Sequence, residues 1–100
     1  YPATINHDEG AALVAKTATD LFGADHFVEM ANPMGAAEDF SLVLEQVPGA
    51  FAILLATPPD KDPAQVHGNH SPFALYDDSV LLDAAALLSE LATRTLADAN

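Results

Sequence analysis

Ala50-Phe51-Ala52-Ile53-Leu54-Leu55-Ala56 is the stretch on which the fold turns. It is apolar from end to end and lacks the alternation of a strand with one wet face. It therefore reads as a strand buried on both sides, as parallel strands under covering helices are. Such a strand needs neighbours, and the chain offers few. Residues 26–30 carry Phe27 and Val28 and favour a strand. Residues 1–6 form a short strand-like lead-in, which Pro2 keeps from a central place in a sheet.

Helices are expected around these strands. Ala11, Val14, Ala15, Ala18, Leu21 and Phe22 fall at helical spacing and make one apolar stripe. Asp8 and Glu9 suit the amino end of that helix, and Gly23 suits its carboxyl end as a left-handed C′ residue. A second helix is predicted over residues 36–46, with Phe40, Val43, Leu44 and Val47 buried and Pro48-Gly49 as the stop. The last runs from Asp78 or Ser79 to about Ala97. Val80, Ala84, Leu87, Leu88 and Leu91 form its packed side, Leu81 and Leu96 lie nearby, and Arg94 opposes the negative end of its dipole.

Between the apolar run and the last helix lies an irregular stretch over residues 57–77, with Pro58, Pro59, Pro63 and Pro72 and the cluster His67-Gly68-Asn69-His70-Ser71-Pro72. Loops this long inside a domain tend to be functional or disordered. The order of elements is α/β, a partial mixed or parallel sheet with covering helices, and it has too few strands for a complete doubly wound sheet. That shortfall predicts that part of the sheet lies elsewhere. The start at Tyr1, with neither Met nor a leader, predicts a cut end.

Fifteen acidic residues stand against three basic ones, Lys16, Lys61 and Arg94, for a net charge of −12. Nucleic acid and anionic membrane both need a basic face, so neither is an expected partner. The charge is otherwise explained by solubility alone. The apolar run at residues 50–56 is far shorter than the roughly 20 residues that span a bilayer. No cysteine is present, which excludes disulfides, thiolate catalysis and cysteine-rich zinc sites and fits a cytoplasmic location.

Two constellations carry possible chemistry. His67 and His70 share a loop, three residues apart, and imidazole nitrogen is a common metal ligand. On spacing alone a plain loop histidine outweighs a ligand, because only carboxylates without diagnostic spacing could complete the set. Glu38-Asp39 opens the second helix, where free amides and the dipole already favour carboxylates. A place near a metal or substrate is the sharper reading of that pair. No Ser–His–Asp arrangement or phosphate-cradling glycine loop is supported. His7 and His26 read as ordinary surface or packing histidines.

Taken in order, four segments resemble the metal-dependent amidohydrolases that include hippurate hydrolases, auxin-conjugate hydrolases and N-acyl-amino-acid deacylases. Tyr1-Pro-Ala-Thr-Ile-Asn6 before a helix resembles the return from that family's lid domain to its catalytic domain. Glu38-Asp39-Phe40-Ser41 resembles its Gly-x-Glu-Asp-Phe-Ser segment. Val47-Pro48-Gly49 resembles its Val-Pro-Gly before a buried strand, and Asn69-His70-Ser71-Pro72 its His-Ser-Pro or His-Asn-Pro segment. The resemblance spans essentially the whole chain.

It implies a C-terminal segment of a two-metal, aminopeptidase-like catalytic domain over residues 7–100, with residues 1–6 as the end of the lid connection. It implies two divalent ions, zinc or manganese, and assigns His70 as one metal ligand. Glu38 and Asp39 carry over only as supporting residues, and His67 carries over no metal role. The implied reaction is hydrolysis of an amide bond in an N-acyl amino acid or small peptide, by a metal-polarised water that gives its proton to a glutamate. That glutamate, the other ligands and the dimer-forming lid belong to the family's remaining sequence. The expected partners are therefore the substrate, the remainder of the catalytic domain and, through the lid, a homo-oligomer. The segment alone is expected to hold no metal and to be inactive.

Leu55 stands where the family usually has glycine, Leu82 and Ala84 where it often has proline and glycine, and Met34-Gly35 is displaced by one residue. These departures point to a divergent member. The rival readings are a non-catalytic acidic interaction domain, a degenerate relative that kept the fold, and a segment excised for study.

Overall fold

The computed structural model describes residues 1–99, and its elements follow in the order α1 (Asp8–Phe22), a short 3-10 turn (Ala24–His26), α2 (Phe40–Gln46) and α3 (Val80–Asp98). The centre of the molecule is α1. Of the predicted stripe Ala18 is buried and Ala11, Val14, Ala15 and Phe22 are half-buried, whereas Leu21 is exposed; the most buried position is Thr17, outside the stripe. His7, with extended backbone, caps the helix, and Asp8 and Glu9 occupy its first turn without a side-chain cap. At the other end Gly23 donates its N–H to Thr19 O at 2.8 Å. Its φ of 95° and ψ of 158° lie in a region open to glycine, although not the left-handed helical one expected.

Packed against α1 is α3, whose Val80, Ala84, Leu87, Leu91 and Arg94 are half-buried, with Arg94 reaching Thr17 and Asp20 of α1. Leu88, assigned to the packed side by the sequence, is exposed along with Leu81. Helix α2 begins at Phe40, four residues later than predicted. Glu38 satisfies the Phe40 N–H with its own carboxylate at 3.3 Å, a local turn that takes the place of a preceding helical residue. Its inward face is Ser41 and Leu44, with Phe40 half-buried and tilted against Phe51 at 5.7 Å between ring centroids. Val43 and Val47, expected inside, are exposed.

The predicted sheet is the main departure. Among the described residues no strand forms, neither at residues 26–30 nor at 50–56. A strand exists only through a partner backbone, and around this run the partners are side chains and isolated backbone bonds rather than a ladder. Asn6 Oδ1 accepts the Phe51 N–H at 2.8 Å and Asn6 Nδ2 donates to Phe51 O at 3.3 Å. His7 N–H donates to Gly49 O at 3.0 Å, and Gly49 N–H lies 3.0 Å from His7 Nδ1, which is also 3.3 Å from Gly49 O. The run expected to be buried on both faces is open, with Ile53 51% and Leu55 76% exposed.

The accessible surface is 7921 Å2 for 10.4 kDa. A folded monomer of that mass exposes about 5,400 Å2. The radius of gyration, 14.9 Å, likewise exceeds the ~13 Å of a closed domain of this length. No helix among the described residues is long and apolar enough to cross a membrane.

Candidate functional site

The loop that carries His70 is built from short turns. Ser71 N–H donates to Gly68 O at 3.1 Å, and Ala74 N–H to Ser71 O at 3.2 Å. Ser71 Oγ accepts the Phe73 N–H at 3.1 Å, the local side-chain turn that serine favours. Two links join the arms of the loop on either side of His70. The rings of His67 and Phe73 lie 5.5 Å apart, and Tyr76 Oη donates to Asn69 Oδ1 at 3.2 Å. The loop is tied to the body at Asp77. Its N–H donates to Ala56 O at 2.7 Å, and its Oδ1 accepts both the N–H and the hydroxyl of Ser79 at the start of α3.

His70 itself is exposed, and its imidazole forms no hydrogen bond or ion pair among the described residues. Chemically this suits a ligand, since both nitrogens are free. Glu38 is half-buried and spends one oxygen on the Phe40 amide. Asp39 is exposed at the N-cap of α2 with helical backbone and no capping bond, so it does not perform the structural role that its position offers.

The donors do not close on one another. Among the described residues no group of three or more His, Asp or Glu side chains could hold a metal ion. His70 fits as a single donor, whereas a complete centre does not fit on these residues alone, because a catalytic ion takes about three protein ligands. The perturbed acids and bases lie elsewhere. Asp20 is held below the usual carboxyl range by hydrogen bonds from Lys16 and then Arg94, and Arg94 is raised by Glu90 and then Asp20. Both belong to the α1–α3 contact.

An open apolar groove of about 310 Å3 lies beside the loop, lined by Leu54, Ala56, Tyr76, Val80, Leu81 and Ala84. Tyr76 thus borders both features. Neither it nor Asn69 is marked by sequence spacing, and nothing but the adjacency of Asn69 to His70 hinted at the pair.

The model of peptidase family M20/M25/M40 matches residues 1–94, and the chain belongs to that family. Its similarity to curated relatives runs along nearly its whole length. It is 35% identical over 98 residues to IAA-amino acid hydrolase ILR1-like 6 of Arabidopsis thaliana, covering 98% of this chain and 20% of that protein. To IAA-amino acid hydrolase ILR1-like 2 of the same plant it is 34% identical over 95 residues, 95% of this chain and 21% of the relative. To the putative amidohydrolase YhaA of Bacillus subtilis (strain 168) it is 30% identical over 89 residues, 89% of this chain and 22% of the relative. The chain spans about a fifth of the length of these relatives. No solved structure matches it. Membership implies an α/β peptidase fold, to which the described residues contribute helices, and the family is in general metal-dependent.

Proposed function

We propose that the chain forms the C-terminal part of the catalytic domain of a metal-dependent amidohydrolase, over residues 7–100, with residues 1–6 leading in from a lid domain. The reaction is hydrolysis of an amide bond in an N-acyl amino acid or small peptide. The observation that carries the reading is the match of nearly the entire chain to about a fifth of proteins named IAA-amino acid hydrolase. The surface excess supports it. Roughly 2,500 Å2 beyond that of a closed monomer is more than one side of an ordinary protein interface, about 800 Å2, and the apolar run lies within it.

In this reading residues 50–56 gain strand partners from the remainder of the catalytic domain, which is the chain's first partner, and a homo-oligomer forms through the lid. His70 is one metal ligand, donating a neutral imidazole nitrogen from a pre-folded loop. Glu38 and Asp39 support the site from the start of α2, where Asp39 keeps its carboxylate free. Two divalent ions, zinc or manganese, when bound supply Lewis acidity at the amide carbonyl. The absence of cysteine agrees with work in the cytoplasm.

The test is hydrolysis of a panel of N-acyl amino acids, hippurate and indoleacetyl conjugates included, by the full-length polypeptide with added Mn2+ or Zn2+, alongside its His70→Ala variant. Metal-dependent activity that collapses in the variant supports both reaction class and ligand. Activity equal in the variant removes the assignment of His70. A folded polypeptide inactive with every metal and substrate favours a non-catalytic relative instead.

A further inference from the structure

The loop around His70 is cross-linked in a way that its sequence does not announce. His70 is exposed and its ring forms no hydrogen bond among the described residues, so none of them fixes its direction by a bond to the ring. Its aim is set by the backbone turn beneath it. That turn is held by the Ser71–Gly68 backbone bond, by Ser71 Oγ, by the His67–Phe73 ring contact and by a side-chain hydrogen bond across the loop, from Tyr76 Oη to Asn69 Oδ1 at 3.2 Å. Asn69 is the immediate neighbour of His70. Tyr76 lies against the groove beside α3, and the next residue, Asp77, is bonded to Ala56 and Ser79.

The Tyr76–Asn69 bridge therefore connects the peptide next to His70 with the fixed start of α3. We infer that Asn69 and Tyr76 are positioning residues, a hydrogen-bonded brace that fixes the His70 imidazole in register with donors supplied from outside this segment. The inference rests on the reading of His70 as a metal ligand.

The physical case is one of preorganisation. A ligand on a loose loop must be ordered when the ion binds, and that entropy is subtracted from the affinity. A brace formed beforehand removes the cost. The bridge is exposed, so its removal should do little to folding, because water satisfies both groups once they part. Its effect should appear in metal affinity, where the order of the loop counts directly. The size expected is that of one ordinary hydrogen bond, about threefold to tenfold in the dissociation constant.

The experiment uses the full-length polypeptide, freed of metal and titrated with Co2+, following the visible spectrum and the dissociation constant. The variants are Tyr76→Phe, Asn69→Ala, their double, and His70→Ala. Tyr76→Phe keeps the ring against the groove and removes only the hydroxyl. The expected result is weaker Co2+ binding by that factor in either single variant and no further loss in the double, with the unfolding temperature unchanged. His70→Ala loses far more and changes the Co2+ spectrum.

Unaltered Co2+ affinity in both single variants, while His70→Ala abolishes binding, overturns the brace and leaves the ligand assignment standing. Additive losses in the double variant overturn it too, because two residues of one bridge cannot be lost twice. Weaker binding that tracks a lowered unfolding temperature assigns the pair to general stability, which also overturns positioning. Unchanged binding in His70→Ala removes the reading on which the inference rests.

Discussion

Arg94 of α3 reaches across to Asp20 of α1, with Nη1 2.9 Å from Oδ2, and the same nitrogen donates to the hydroxyl of Thr17 at 3.3 Å. Its Nε is held by Glu90 one turn back at 3.0 Å, and Asp20 is also held by Lys16 at 3.2 Å. Thr17 is wholly buried, so its hydroxyl needs this donor. In a chain with three basic residues, two converge on one carboxylate at the seam between the two long helices.

Arg94→Ala is expected to lower the unfolding temperature more than Lys16→Ala, because it also strands the Thr17 hydroxyl. Lys16 sits on the surface, where ion pairs contribute little. Arg94→Lys should recover only part of the loss, since an ammonium cannot serve Asp20, Glu90 and Thr17 with the guanidinium's fixed fork. Thermal unfolding of the four proteins side by side checks the order, and equal losses at Lys16 and Arg94 would refute it.

The same carboxylate sets a pH dependence. The folded Asp20 carboxyl lies below its ordinary 3.8, because Lys16 and then Arg94 favour its charged form. The unfolded state therefore takes up a proton first as pH falls. The contribution of Asp20 is complete at neutral pH, declines as pH drops through the ordinary carboxyl range, and is gone below the depressed folded value. Asp20→Asn should reduce stability at pH 7 and change it little in strong acid. A wild-type-to-variant difference that grew on acidification would contradict the assignment.

Gly10 lies where α1 comes close to the loop before the apolar run. A Cβ built there would stand 2.7 Å from Gly49 C and 2.8 Å from Gly49 O. Alanine gains about 1 kcal/mol over glycine inside a helix. Here that gain is outweighed by a clash with backbone, which cannot rotate away, at a cost of about 1–3 kcal/mol. Gly10→Ala should be destabilising on balance and should disturb the His7–Gly49 bonds. A stabilised variant in denaturant titration would show that the helix is not pressed against Gly49.

The helices were legible because each depends on its own residues. The stripe from Ala11 to Phe22 closes α1 by itself, and Gly23 ends it. The face of α3 was legible only in part. Sequence periodicity places Leu88 beside Leu87 and Leu91, while the real seam is drawn by Arg94 reaching Asp20 and leaves Leu88 outside. The strand reading of residues 50–56 is not confirmed among the described residues, because a strand is a property of two backbones and one sequence segment specifies one. For the site, His70 was named through resemblance, whereas the Asn69–Tyr76 bridge joins residues seven apart in an irregular loop, where no periodicity applies.

Asn6 stands in for a missing strand partner by closing a two-bond ring with the peptide of Phe51. Asn6→Ala removes both bonds. Because the site is exposed, water recovers part of the loss, and the expected destabilisation is about 1 kcal/mol. The sharper readout is hydrogen exchange of the Phe51 amide, which should accelerate selectively, with the amides inside α3 unaffected. Asn6→Asp retains the acceptor for that amide and should protect it better than alanine does. Equal protection in all three proteins would mean that the ring does not persist in solution.

Ser41 poses the opposite case. It is only 1% exposed, and its Oγ has no hydrogen-bond partner among the described residues. It lines a small recess of about 150 Å3 with Ile5, His7, Leu44 and Glu45. A hydroxyl left without a partner in such a place costs about 1–3 kcal/mol relative to one that is satisfied. Ser41→Ala removes the unpaired group and only one heavy atom of volume, so it should be neutral or stabilising. Ser41→Val also removes the hydroxyl but adds bulk beside Leu44, and overpacking should make it the less stable of the two. If Ser41→Ala is instead destabilising by 1 kcal/mol or more on the order of a lost hydrogen bond, the hydroxyl has a partner in the folded protein. The recess would then hold an ordered water or be closed by a polar group from the rest of the catalytic domain. Comparing the variants by denaturant titration in the full-length polypeptide separates the two outcomes, because only a partnered hydroxyl makes alanine the worse residue at this position.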